Sequence, residues 1–203
     1  MRFHPLIYEK GGFTLVEMLF AIAIVLVVLA AASVTFISQE KAYDAQAQSS
    51  EMVQGVRAAM DMLSTEIRQA GYDPQDITGF VGIPYSASQL QLYADLNADG
   101  DTSDPAENIV YTFDSTHLRV NRNDVNTENA TKPFAENITG FSVTYLQGDG
   151  VTEVTDAADQ EKIRQVKIEI TARTDKPDPD YSENGGYRTF TLTSTITPLN
   201  LGL

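Results

Sequence analysis

Thirteen residues, DLNADGDTSDPAE at 95–107, hold five carboxylates. Asp95, Asn97, Asp99 and Asp101 alternate, and Gly100 stands where a calcium loop of the EF-hand type turns sharply, so several hard oxygens can converge on one cation. Hard oxygens favour calcium over zinc. In that template a bidentate acid occupies the twelfth position, which is Ala106 here; Glu107 comes one residue late. Both flanks read as strands, so the loop would lie within a sheet connection. The expected ligand set is Asp95, Asn97, Asp99, Asp101 and Glu107, with calcium as the only cofactor expected, ordering the loop outside a membrane. A solvated turn, in which Asn, Asp and Gly simply meet turn geometry, uses the same residues without an ion.

Other chemistry has little to work with. There is no cysteine, and the two histidines are His4 and His117, the second after a tight turn where a surface hairpin residue is expected. Glu136, Glu153 and Glu169 fall on different elements, with no spacing suited to paired-carboxylate hydrolysis. Neither a phosphate-cradling glycine loop nor G-x-S-x-G occurs. A net charge of −14 without a basic patch argues against nucleic-acid binding. A membrane-tethered hydrolase would need a cleft and a nucleophile beside His117. The sequons Asn129-Ala130-Thr131 and Asn137-Ile138-Thr139 are incidental in a chain that reads as bacterial.

The other singular residue is Glu17, inside EKGGFTLVEMLFAIAIVLVVLAAASVTFI (9–37). Met18 to Ile37 is twenty uncharged residues, roughly 30 Å of helix and the thickness of a bilayer's apolar core. A carboxylate deep in such a span costs on the order of 2.5–3.5 kcal/mol, and less at its edge. Glu17 can snorkel to the headgroups or be protonated. Alternatively, it pairs with a cation: a cut at Gly12 would free the Phe13 amine one helical turn away, on the same chain or a neighbour. Arg2 and Lys10 before the span face Lys41 and Arg57 after it, so basic-residue bias sets orientation weakly; a single span ahead of a long domain places the N-terminus inside.

Gly12, Phe13, Thr14, Leu15, Val16, Glu17 and Met18 resemble the class III signal of type IV pilins and type II secretion pseudopilins. The resemblance implies cleavage between Gly12 and Phe13 by a prepilin peptidase at the bacterial inner membrane, N-methylation of Phe13, and Glu17 meeting the N-terminal amine of an adjacent subunit in a filament. MDMLSTEIRQAGYDP (60–74), the acidic loop and the last two β-rich stretches are similar to the PilW and PulJ branch of minor pilins, thought to prime or cap a filament tip. Many major pilins carry a helix-breaking proline early in this helix, absent here.

With no proline between Pro5 and Pro74, the helix can continue past the membrane. Val53, Val56, Met60, Leu63, Ile67 and Ala70 make one apolar stripe, Gly71 stops it, and the whole from Phe13 to Ala70 would measure roughly 87 Å. Such a stripe suits a coiled-coil partner or a sheet. Six β-rich stretches follow: 89–94, 108–114, 117–122, 138–146, 163–173 and 187–197, with antiparallel pairs across Asp114-Ser115-Thr116 and across 176–186. The last, YRTFTLTSTIT, also reads as a Thr-rich linker, but Phe190, Leu192 and Ile196 alternate with polar neighbours.

The expected fold is α+β: a leader (1–12), a membrane or filament-core helix (13–37), its amphipathic continuation (38–70) and an antiparallel β domain (71–203). The expected function is a non-enzymatic minor pilin or pseudopilin. Its expected partners are other major and minor pilins or pseudopilins, the prepilin peptidase and the inner-membrane assembly platform. Its expected place is the inner membrane, N-terminus cytoplasmic, and then a periplasmic or cell-surface filament. The rival is a membrane-anchored calcium-dependent binding module that never polymerises.

Overall fold

The computed structural model describes residues 11–76, 80–127 and 131–201; leader residues 1–10, His4 among them, and Asn129 of the first sequon lie outside the described residues. The chain divides into two units, Met1–Gln46 and Ala47–Leu203. A single helix, α1 (Leu15–Gln69), contributes to both.

In the first unit every side chain from residue 11 to 44 is exposed. The helix there is long and apolar enough to cross a membrane by length and composition. Two of its hydroxyls fold back on their own backbone. Ser33 Oγ donates to the Leu29 carbonyl (2.8 Å) and Thr35 Oγ1 to that of Ala31 (3.0 Å), so neither presents an unsatisfied donor to lipid.

In the second unit the same helix is amphipathic. Val56, Ala59, Met60, Leu63 and Ile67 are buried at helical spacing, Val53 is half-buried, and Arg57, Asp61 and Gln69 face water. Helical structure ends at Gln69, and Gly71 follows at φ +83°, a left-handed conformation that glycine enters freely. A β-carbon on Gly82 would lie 2.4 Å from the Gly71 backbone, so two glycines let the chain return against the helix end.

Among the described residues eight strands follow, in two four-stranded antiparallel sheets. The first, in spatial order, is β1 (Gln89–Tyr93), β2 (Asn108–Asp114), β3 (Arg119–Asp124) and β4 (Lys132–Glu136). In the second, β6 (Glu153–Val154) and β7 (Gln165–Arg173) flank β5 (Ile138–Leu146), and β8 (Thr189–Ile196) lies outside β7. Strand β7 alternates cleanly: Val166, Ile168, Ile170 and Ala172 are buried, while Lys167 and Glu169 point out. The helix stripe, Leu90, Ile109, Tyr111 and Val120 of the first sheet, and Ile138, Val166, Ile168 and Ile170 of the second share one core. Each such side chain contributes about 1.5–3 kcal/mol on burial.

The helix-on-sheet class agrees with the sequence reading; its six strands in one sheet become eight in two. Strand β4, KPFAE, carries a proline and two charges, which an interior strand excludes and an edge strand tolerates. Strand β6 has two residues, too few for any periodicity. The hairpin between β2 and β3 is longer than expected: His117 and Leu118 belong to the turn, Leu118 at φ +51°.

Candidate functional site

Gly11, Gly12, Phe13 and Thr14 precede the helix in irregular backbone, and a β-carbon built on either glycine meets nothing within 4 Å. Among the described residues, Gly12 and Phe13 are both exposed. Helical order begins at Leu15 because Thr14 and Glu17 form a reciprocal capping box: Thr14 N–H and Oγ1 both donate to Glu17 Oε2 (2.9 Å each), and Glu17 N–H donates to Thr14 Oγ1 (3.3 Å). The first amides of a helix have no internal partner, and near lipid there is little water to replace one. Glu17 thus has a structural role within a single chain. The signal was legible as T-x-x-E before an apolar run, hidden behind the question of charge.

In the acidic loop the expected residues divide into two groups. Asp95 is fully buried, and its carboxylate accepts from the backbone amides of Asp99 (3.2 Å) and Gly100 (3.0 Å). Glu107 is also buried and accepts from Leu96 (2.8 Å), Asn97 (3.3 Å) and Asp104 (3.2 Å) amides. These two carboxylates shape the loop from inside. Towards solvent, Asp99, Asp101 and Asp104 bring one oxygen each within 4.8 Å of one another, and Asn97 Nδ2 bridges Asp99 (3.0 Å) and Asp104 (2.7 Å). Asp104, absent from the sequence-derived set, is third in the cluster. Its pKa is raised, chiefly because it shares a hydrogen bond with the Asp99 carboxyl, whereas the Ser103 hydroxyl lowers that of Asp101. Asn126 Nδ2 braces the loop from the β3–β4 turn, donating to the Thr102 (2.8 Å) and Asp104 (2.7 Å) carbonyls. Such a cluster can hold a hard divalent cation in exchange for protons and mutual repulsion.

One arrangement escaped sequence reasoning. Glu66 leaves the polar flank of the α1 stripe to accept from Tyr111 Oη (2.5 Å) and Arg122 Nε (3.0 Å), with Arg122 Nη2 at 2.9 Å. Burial, then the Glu66 charge, pushes the Tyr111 phenol well above its ordinary range. The triad ties the helix to the first sheet. Tyr111 and Arg122 are opposed across β2 and β3; their meeting with Glu66 required the fold.

His117 is exposed, with Nδ1 2.7 Å from Asp114 Oδ2, and Asp114 Oδ1 accepts from the Thr116 and His117 amides (3.1 Å each). It braces a turn. Glu136, Glu153 and Glu169 lie on β4, β6 and β7, and Asn137 sits in the β4–β5 turn at φ +58°.

Comparison with known proteins adds the following. Residues 9–33 match the prokaryotic N-terminal methylation motif, and residues 45–196 match the family described as prepilin peptidase-dependent protein B. No curated protein sequence matches the chain. Among solved structures it is similar to a type IV-like pilin from Thermus thermophilus, with 14% identity, 74% of this chain and 98% of that one covered, and a TM-score of 0.49. With its methylation motif, apolar helix and a family match over most of its length, this pilin-like chain belongs to the prepilin peptidase-dependent protein B family.

Proposed function

We propose that this chain is a minor pilin or pseudopilin of the PilW and PulJ branch. It is made in the bacterial inner membrane with its N-terminus cytoplasmic, cleaved between Gly12 and Phe13 by a prepilin peptidase and methylated at Phe13. The inner-membrane assembly platform then builds it into a periplasmic or surface filament, a type IV pilus or a type II secretion pseudopilus, which it primes or caps beside other pilins or pseudopilins. The observation that carries this reading is the junction at 11–17, where exposed Gly12 and Phe13 are followed by a capped apolar helix whose first turn bears a carboxylate. N-terminal sequencing of the mature protein tests it. Methyl-Phe13 is expected; an intact Met1 start overturns processing.

Glu17 has two roles on this reading, and two substitutions separate them. Glu17→Gln keeps an oxygen for the capping box and loses the charge that attracts a neighbour's amine. Glu17→Ala loses both. Filament incorporation is expected to fail in both variants; normal incorporation of Glu17→Gln would leave Glu17 a helix cap alone.

The acidic cluster favours an added role. Asp99, Asp101 and Asp104 hold calcium with Asn97, on a loop that Asp95 and Glu107 set from behind. Calcium titration of the full chain in detergent should raise its melting temperature, more at neutral than at acidic pH because Asp104 takes up a proton early. No change at millimolar ion removes the site. A non-polymerising, calcium-dependent anchored binding module is the second reading, and it predicts that Glu17→Ala leaves surface binding intact.

A further inference from the structure

Past the apolar span, α1 continues through SQEKAYDAQ at 38–46, and two of these side chains have no use within the chain. Lys41 is the one basic residue between positions 11 and 56, and among the described residues it makes no ion pair. Tyr43 is 73% exposed. Tyrosines elsewhere are engaged: Tyr85 meets Tyr145 edge-on, Tyr111 bonds to Glu66, and Arg173 and Arg188 lie over Tyr187 and Tyr181. Among the described residues Tyr43 has no hydrogen bond and no ring contact.

Their distance from the span decides what they meet. Counted from Ile37, Lys41 lies roughly 6 Å and Tyr43 roughly 9 Å along the helix. A headgroup layer is roughly 5–8 Å thick on either side of the apolar core. Side chains on a helix lean towards its N-terminus, which for α1 is the side of the span, so the Tyr43 ring reaches back into that layer and the Lys41 stem back towards the acyl chains. We infer that Lys41 and Tyr43 form a collar that binds the phospholipid headgroup layer and sets the depth of the span. This rests on the membrane reading proposed above.

Helix geometry selects lipid over a neighbouring protein. Residues two apart stand on nearly opposite sides of a helix, so one packed helix cannot cover both Lys41 and Tyr43. A layer that surrounds the helix covers both at once. The chemistry fits the same partner. The Lys41 ammonium donates to phosphate oxygens, and Tyr43 sets its ring beside the glycerol backbone while its hydroxyl donates to an ester or phosphate oxygen. Glu40 and Asp44 stand one turn apart on a third line of the helix, so the anchors do not hold either acid against the phosphates.

Because the chain lacks tryptophan, single substitutions report cleanly. Full-length Val28→Trp, Tyr43→Trp and Tyr72→Trp are reconstituted in vesicles of phosphatidylethanolamine and phosphatidylglycerol that carry a fluorescence quencher either at the headgroup or at the acyl end. Headgroup quenching of Tyr43→Trp should exceed its acyl-end quenching at least twofold, the order should reverse for Val28→Trp, and Tyr72→Trp should respond to neither. Tyr43→Trp quenched no more than Tyr72→Trp overturns the collar. Loss of acyl-end quenching in Val28→Trp would instead remove the span itself, so the two readings fail separately. Tryptophan is itself drawn to headgroups, so a second readout tests the native pair. Adding Lys41→Ser and Tyr43→Ser to Val28→Trp should lower its acyl-end quenching at least twofold without moving the thermal midpoint, and Lys41→Arg alone should leave it unchanged. Equal quenching with and without the two serines overturns the collar.

Discussion

The two parts of α1 obey different solvents. From Met18 to Ile37 the helix carries no charge and is exposed on every side among the described residues, with Leu19, Phe20 and Val27 each at least 60% exposed. From Val56 to Ile67 it is apolar along one stripe, and two sheets bury that stripe completely, Leu63 and Ile67 to 0%. One backbone geometry therefore serves two kinds of stability. On the proposed reading the first segment takes its burial from outside the chain, from lipid or neighbouring helices. The second takes it from residues more than twenty positions away in the same chain. Mutations in the two segments should accordingly be read out by different measurements.

The largest effect is expected from Leu63→Ala, which removes a buried side chain from a close-packed core and should cost about 2–5 kcal/mol. It lowers the thermal midpoint of the full chain in detergent and leaves retention in the membrane unchanged. Val27→Lys sharpens the contrast from the other side, since a lysine at mid-span costs about 2.5–3.5 kcal/mol of insertion. Alkaline extraction should release more of that variant, while its thermal midpoint stays at the parental value. A shifted midpoint in Val27→Lys, or weakened membrane retention in Leu63→Ala, would break the separation.

Thr14→Ala acts at the end of the first segment and should cost about 1 kcal/mol of helix start. Amide hydrogen exchange at residues 15–18 in micelles should rise several-fold, with no change beyond residue 47. Smallest is Asp149→Asn, in the turn between β5 and β6. The Thr152 hydroxyl, then the Val151 and Thr152 amides, hold the Asp149 carboxyl down to about 2. A lowered folded pKa stabilises above the ordinary carboxylate value and is lost as pH falls towards 2. Asp149→Asn should thus melt slightly lower than the parent at pH 7, and the gap should close between pH 4 and pH 2. A pH-independent gap would assign the effect to turn geometry.

Much of the second segment was readable before folding. Leu63 and Ile67 fell on the stripe, β7 alternated without error, and Gly71 marked the helix end. Strand β4 was missed because Pro133 and its charges argue against an interior strand, and only an edge position removes that objection. In the acidic loop, sequence spacing treated Asp95 and Glu107 as equals of Asp99. Burial distinguishes them, directing two carboxylates onto backbone amides and leaving the exposed cluster to include Asp104.

The sequence by itself determined whatever depends on neighbours along the chain: the apolar span, the glycine before Phe13, the capping pair Thr14 and Glu17, and the alternation of the strands. Each is a local property, set by helical or strand periodicity over a few residues. Tertiary structure alone decided the division into two sheets, the edge position of β8 and the ion pair between Glu66 and Arg122, 56 positions apart. Those depend on which segments meet, and that choice is made by the burial of the whole core.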